Sequence, residues 1–257
     1  MKKIAIAFSF VVALLAVLLL TASSKKCTAN IPPVVKMQEG EGIAVLELFT
    51  SQGCSSCPPA DELLGKYATG TNKNIIALAF HVDYWNRLGW IDSFSNAAYS
   101  QRQREYAAKF NSESVYTPQL VINGEKEMVG SETGKVADAV SKALQQKPAV
   151  QINIADVTVN AGKVSFSYTS SAAGKQILAV LVQNKAVTHI KGGENRGIQL
   201  TNYNVVRDLA TANDVAGKLS LQLPAGVPAA ECKIVIVAQE KESGKITGAT
   251  QMPLSGK

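Results

Sequence analysis

Residues 43–146 alternate between two hydrophobic periods. Residues 43–49 are apolar apart from Glu47, the pattern of a strand buried on both faces. Ala60, Leu63, Leu64 and Tyr67 then recur at helical spacing. Pro58 and Pro59 suit the start of that helix, because its first turn has few N–H bonds to lose. Residues 75–80 predict a second buried strand. A polar-aromatic insert at about 84–110 follows and ends in a helix-like stretch, 97–110, whose charges Arg102, Arg104, Glu105 and Lys109 are expected to face water. Residues 120–122 and 127–129 flank Asn123-Gly124, a pair suited to a type I′ hairpin turn. Val136, Ala139, Val140 and Ala143 share one face of a closing helix, with Ser131 as its N-cap.

After Pro148 the helical period fades. Residues 150–159, 164–168, 177–183, 219–223 and 233–238 read as strands, several alternating apolar and polar, with turn clusters such as Asn160-Ala161-Gly162 and Pro224-Ala225-Gly226 between them. Regular short strands of this kind predict a β-sandwich. The expected organisation is a leader at 1–24, an α/β domain at 25–147 and an all-β, sandwich-like domain at 148–257.

Met1-Lys2-Lys3 is a short basic segment, residues 4–20 are almost wholly apolar, and Thr21-Ala22-Ser23-Ser24 is small and polar. This is the layout of an export signal. An uncleaved N-terminal anchor, and hence a membrane tether, is the competing reading, because the apolar run approaches a membrane span in length. A periplasmic or otherwise extracytoplasmic location follows from either. The net charge of +6 in 257 residues is mild. No basic run exceeds two adjacent residues, which argues against nucleic acid as a partner.

Export changes how the four cysteines are read, because disulfides persist outside the cytoplasm. Cys54 and Cys57 stand two residues apart in Gly53-Cys54-Ser55-Ser56-Cys57-Pro58-Pro59, between the first strand and the first helix. A sulfur at a helix start meets free N–H groups and the positive end of the helix dipole, both of which favour thiolate. Closing this pair leaves Cys27 and Cys232, to pair or to stay free. A permanent staple gains little from so small a ring. Metal handling would use Cys54, Cys57 and His81, as in extracytoplasmic copper proteins. With two histidines and no second Cys-x-x-Cys, a four-ligand zinc site is not expected. No metal or other cofactor is expected for the redox reading. Glu47, an acid inside an apolar strand, needs a partner or a task. Trp85 and Trp90 either border a groove for an extended partner or pack the insert onto the domain.

Five segments carry a resemblance. Residues 46–61, from Leu46-Glu47-Leu48-Phe49 through the Cys54–Cys57 motif to Asp61, resemble DUF1223, a family of secreted bacterial proteins. His81-Val82-Asp83-Tyr84-Trp85, Tyr116-Thr117-Pro118-Gln119 and Gly193-Glu194-Asn195-Arg196-Gly197 with Asn204-Val205-Val206-Arg207 extend it. The strand, the motif at the following helix, and Thr117-Pro118 before the next strand look like a thioredoxin-like oxidoreductase domain. The resemblance implies an α/β thioredoxin-like N-terminal domain. It implies Cys54 as attacking thiol, Cys57 as resolving thiol and Pro118 as a cis-proline facing the disulfide. Thr117 and Trp85 become candidate substrate contacts. Glu47 becomes a candidate proton acceptor for the resolving thiol, and the alternative is that it caps or pairs at a sheet end. The expected function is extracytoplasmic thiol–disulfide exchange with protein thiols or disulfides or with small thiols. The alternatives are a non-catalytic binding module with a structural disulfide, and copper handling.

Overall fold

The structure is a computed structural model that describes residues 42–171 and 173–255. The leader and Cys27 lie outside them. Among the described residues the chain runs β1 (Ala44–Thr50), α1 (Pro58–Ala68), β2 (Ile75–His81), α2 (Ala97–Lys109), β3 (Gln119–Ile122), β4 (Lys126–Val129), α3 (Thr133–Ala143), β5 (Ile152–Asn160), β6 (Lys163–Ser170), β7 (Gln176–His189), β8 (Gln199–Ala212), β9 (Ala216–Gln222), β10 (Cys232–Gln239) and β11 (Ile246–Pro253). No helix among them is long and apolar enough to cross a membrane.

The expected α/β thioredoxin-like N-terminal domain beside a separate all-β domain is not what forms. Strands from both sides of Lys147-Pro148 join one mixed eight-stranded sheet, in the order β11-β10-β7-β8-β2-β1-β3-β4. The fold is mostly β, with three α-helices against eleven strands among the described residues. The cause lies at the edge of β2. Strand β1 pairs with it in parallel from one side, from Ala44↔Ile75 to Thr50↔His81. The other edge would leave a row of unpaired backbone groups. Strand β8 takes that edge in parallel at Ala79↔Val205, and Asn204 adds a side-chain bond to the Ala77 carbonyl at 2.9 Å. β7 and β8, each 14 residues long, carry the sheet onward, and residues 177–182 of β7 are buried throughout. A strand apolar on both faces needs cover on both.

Three cores meet that need. Val45 and Phe49 of β1 pack with Leu78 and Phe80 of β2, Tyr99 and Tyr106 of α2, and Val180 of β7. Leu46 and Leu48, on the opposite face of β1, pack with Leu63 and Leu64 of α1 and Val136 of α3. Over the outer half of the large sheet lies the three-stranded sheet β5-β6-β9, whose Ile154, Phe166 and Leu221 share a core with Leu181 and Ile234.

Arg102 departs from the sequence expectation. It is 9% exposed, not solvent-facing, because it meets Glu47, 55 residues earlier, across the α2–β1 interface. Asn123 and Gly124 turn the β3–β4 hairpin with φ of 49° and 67°. A Cβ on Gly124 would stand 1.9 Å from the Gly244 carbonyl oxygen, which is backbone and cannot swing aside. Gly124→Ala is therefore expected to cost more than about 1 kcal/mol in urea unfolding, from left-handed strain and overlap together.

Candidate functional site

Strand β1 ends at Thr50, and the chain reaches α1 through a tight loop. The Cys54 amide donates to the Ser51 carbonyl at 3.1 Å, and the Cys57 amide to the Cys54 carbonyl at 3.3 Å. Cys57 is the N-cap of α1 and already helical, with φ −79° and ψ −36°. Cys54 and Cys57 form a disulfide, their Cα atoms 5.4 Å apart. Both residues are 0% exposed, while Ser55 and Ser56 between them face solvent. The Ser56 hydroxyl lies 3.4 Å from Cys54 Sγ.

Neighbouring segments hold this loop from several directions. Thr117-Pro118 is a cis peptide. The register Phe49↔Gln119 sets Pro118 beside Thr50, at the strand end that leads into the motif. Trp85 Nε1 donates to Thr117 Oγ1 at 2.8 Å, and the Trp85 Cβ is the atom nearest to where a Cβ on Gly53 would stand. Trp90 Nε1 donates to Gln52 Oε1 at 3.0 Å. The insert thus joins the site through both indoles.

The β7–β8 hairpin reaches the same loop. Asn195, 6% exposed, donates its amide to the carbonyls of Gln52 and Cys54, each at 2.9 Å. Glu194 Oε2 accepts the Ser55 backbone N–H at 3.1 Å. On β8, Arg207 donates to Gln183 and stacks over Phe94, 4.8 Å from the ring centre.

Glu47 is not brought to the cysteines by any of these contacts. Its carboxylate accepts Arg102 Nε at 2.8 Å and Nη2 at 3.0 Å, and also the Tyr106 hydroxyl. Side chains alternate along a strand, so Glu47 shares the α2 face with Val45 and Phe49, whereas α1 covers the other.

The acid beside the disulfide is Asp61, which sequence reasoning missed. Its backbone N–H donates to the Cys57 carbonyl at 3.1 Å, so the two residues are i, i+4 neighbours on one helix face. The signal was present. Cys57, Ala60, Asp61 and Leu64 follow the i, i+3, i+4, i+7 spacing of a buried stripe, with a carboxyl inside it. Asp61 is 5% exposed. Its Oδ2 accepts the Thr50 hydroxyl at 3.2 Å, and its Oδ1 has no hydrogen-bond partner among the described residues. Burial raises its pKa to about 7, against the opposing pull of His81.

His81, at the end of β2, extends the cluster. Its Nδ1 lies 2.7 Å from Asp92 Oδ2, which also accepts the Gln52 N–H at 2.8 Å. Its Nε2 is buried without a partner among the described residues. Burial works against the imidazolium, but the charge and hydrogen bond of Asp92, with help from Asp61, outweigh it and raise the pKa above 6.5. Burial likewise works against the Asp92 carboxylate, yet His81 and the backbone N–H groups of Gln52 and Phe94 hold it below the usual range. One hydrogen-bonded line thus runs from His81 through Asp92 to the backbone of the motif loop. Cys232, the remaining described cysteine, is buried, and burial pushes its thiol up to about 11.

The sequence profile of DUF1223, described as a protein of unknown function, matches residues 45–239. A search of curated proteins found no match. Among solved structures, protein AGR_C_4864 from Agrobacterium tumefaciens is similar, with 26% identity and a TM-score of 0.62 over 82% of this chain and 95% of that one. HBP35 of Porphyromonas gingivalis shares the fold at 13% identity, with a TM-score of 0.57 over 83% of this chain and 76% of that one. The profile spans the Cys54–Cys57 loop, the two-tryptophan insert and the Glu194-Asn195 hairpin that closes on the loop, so the chain belongs to the DUF1223 family.

Proposed function

We propose that the protein is a thiol–disulfide oxidoreductase working through Cys54 and Cys57. The observation that carries this reading is Asp61. A carboxyl buried one helical turn from Cys57, with one oxygen lacking a partner among the described residues and a pKa of about 7, is costly to the fold. Such groups cluster where a proton must be exchanged near neutral pH.

The chemistry runs as follows. A substrate thiolate attacks Cys54 Sγ, the Cys54–Cys57 bond breaks, and a mixed disulfide forms at Cys54. The electron pair leaves on Cys57 sulfur, and protonated Asp61 supplies its proton. The second substrate thiolate then attacks the mixed disulfide and releases oxidised substrate and the Cys54 thiolate. In the reverse direction, Asp61 as carboxylate takes the Cys57 proton, and the resulting thiolate resolves a mixed disulfide formed at Cys54. No cofactor takes part. The leader-like residues 1–24 and the persistence of disulfides outside the cytoplasm support an extracytoplasmic setting, with protein cysteines or small thiols as partners.

A structural disulfide within a binding module is the second reading, favoured by the burial of both cysteines. One experiment separates the two. Reduced Cys57→Ser protein is mixed with oxidised glutathione, and intact mass is followed. Exchange predicts a stable single glutathione adduct on Cys54, while the wild type resolves it and reforms the internal disulfide. A wild-type disulfide that survives glutathione-range potentials, together with no adduct in the variant, would leave only the staple.

A further inference from the structure

We infer that Glu194 is a positioning residue that sets the thiolate stability and redox poise of Cys54 from the tip of the β7–β8 hairpin. The inference rests on the exchange reading above and deepens it. Its basis is a contact across 139 residues of sequence: Glu194 Oε2 accepts the N–H of Ser55, the residue next to Cys54, at 3.1 Å. Asn195 braces the same tip by holding the Gln52 and Cys54 carbonyls, each at 2.9 Å. The carboxylate is therefore fixed beside the motif.

The position has a chemical consequence. In a Cys-x-x-Cys loop at a helix start, free N–H groups favour thiolate. Here the Ser55 N–H is already given to a carboxylate, which hydrogen bonding from the Ser55 side chain and backbone holds below its usual pKa range. A thiolate formed on Cys54 then faces a second negative charge and meets one donor fewer. Like charge disfavours the ionised thiol. Reduction of the disulfide consumes two electrons and two protons from a dithiol. Any group that disfavours the Cys54 thiolate disfavours the reduced state and makes the couple a stronger reductant. Other charged groups around the loop are Asp61 on α1, His81 on β2, Asp92 in the insert and Arg196 on the tip itself. A substitution at Glu194 leaves all four in place.

The test compares Glu194→Gln with the wild type and with Glu242→Gln, which removes the same charge at the exposed β10–β11 turn. The Cys54 pKa is read in reduced protein from thiolate absorbance and from the pH dependence of alkylation. The potential is read by equilibration with dithiothreitol. Because Glu194 is exposed and screened, Glu194→Gln is expected to lower the Cys54 pKa by about 0.5 unit and, at a pH above that pKa, to shift the dithiothreitol equilibrium about threefold toward the dithiol. Glu194→Asp keeps a charge at the tip and should stay closer to the wild type than Gln does, whereas a purely structural contact would rank them the other way, because the isosteric Gln still accepts the Ser55 N–H and the shorter Asp reaches it less well. Equal Cys54 pKa values in the wild type and Glu194→Gln, or an identical shift in Glu242→Gln, would overturn the inference while exchange itself stands. A wild-type disulfide that dithiothreitol does not open would overturn both.

Discussion

Asp61→Asn is expected to slow disulfide exchange by about a hundredfold or more while making the protein more stable at alkaline pH. The kinetic loss follows from removing the proton donor and acceptor beside Cys57, since positioned general acids and bases contribute roughly 10²–10⁴-fold. Reduction of the wild-type disulfide needs Asp61 protonated, so at fixed thiolate concentration its rate should fall as pH rises through about 7. The variant should lack that inflection. The stability effect has a definite sign. The folded-state pKa is raised from 3.8 to about 7, so the native state binds more protons than the unfolded chain between those values. Stability therefore falls as pH rises through that window, by about 3 kcal/mol between pH 5 and pH 8.5. The raised pKa of His81 acts in the same direction, because its contribution is also present at low pH and lost as pH rises. Asp92, held low, contributes stability that is lost only in acid. Urea unfolding of the oxidised wild type and Asp61→Asn at the two pH values reads the difference directly. A wild type no less stable at pH 8.5 than the variant would remove Asp61 as a buried titrating acid. Unchanged exchange kinetics in the variant would remove it from the mechanism.

The parts of this arrangement that were legible in the sequence are local ones. β1 and β2 announce themselves as short apolar runs, α1 and α3 by their 3.6-residue stripes, and the β3–β4 turn by Asn123-Gly124. The cysteine pair, Thr117-Pro118 and Trp85 were also identified from sequence, and the structure brings them to one end of β1. Pairings between distant segments were not legible. Nothing in residues 199–212 says that they take the free edge of β2, because backbone pairing depends on which edge is open and not on side-chain identity. The separate-domain expectation failed there. Asn195 and Glu194 were visible as part of a segment carrying the family resemblance, but not as contacts of a loop about 140 residues earlier. Asp61 could have been found from its place in a buried stripe. Its place in the first turn of a helix masks that signal, because an acid there ordinarily needs no further explanation.

Arg102→Met should be the most damaging single substitution for stability among those considered. Glu47 is 0% exposed on the α2 face of β1, and two of its hydrogen bonds come from the Arg102 guanidinium. The same guanidinium donates to Gln239 at 3.1 Å and to the Tyr106 hydroxyl at 3.0 Å, and it stacks 5.0 Å from the Tyr106 ring centre. One side chain thereby ties β1, α2 and β10 together. Removing it leaves a carboxylate buried with the tyrosine hydroxyl alone, a loss of about 3–5 kcal/mol. Much of a domain's net stability of roughly 5–15 kcal/mol would go with it. Replacing both partners by apolar residues, as Glu47→Leu with Arg102→Met, should recover most of the loss, because the cost comes chiefly from the orphaned charge and not from the absence of the pair. The double variant also separates the two acids of this protein. Glu47 sits in the α2 interface and Asp61 one helical turn from Cys57, so the double variant should exchange disulfides at close to the wild-type rate, while Asp61→Asn should not. A double variant that folds, reaches wild-type stability and yet loses exchange would return the proton-transfer role to Glu47.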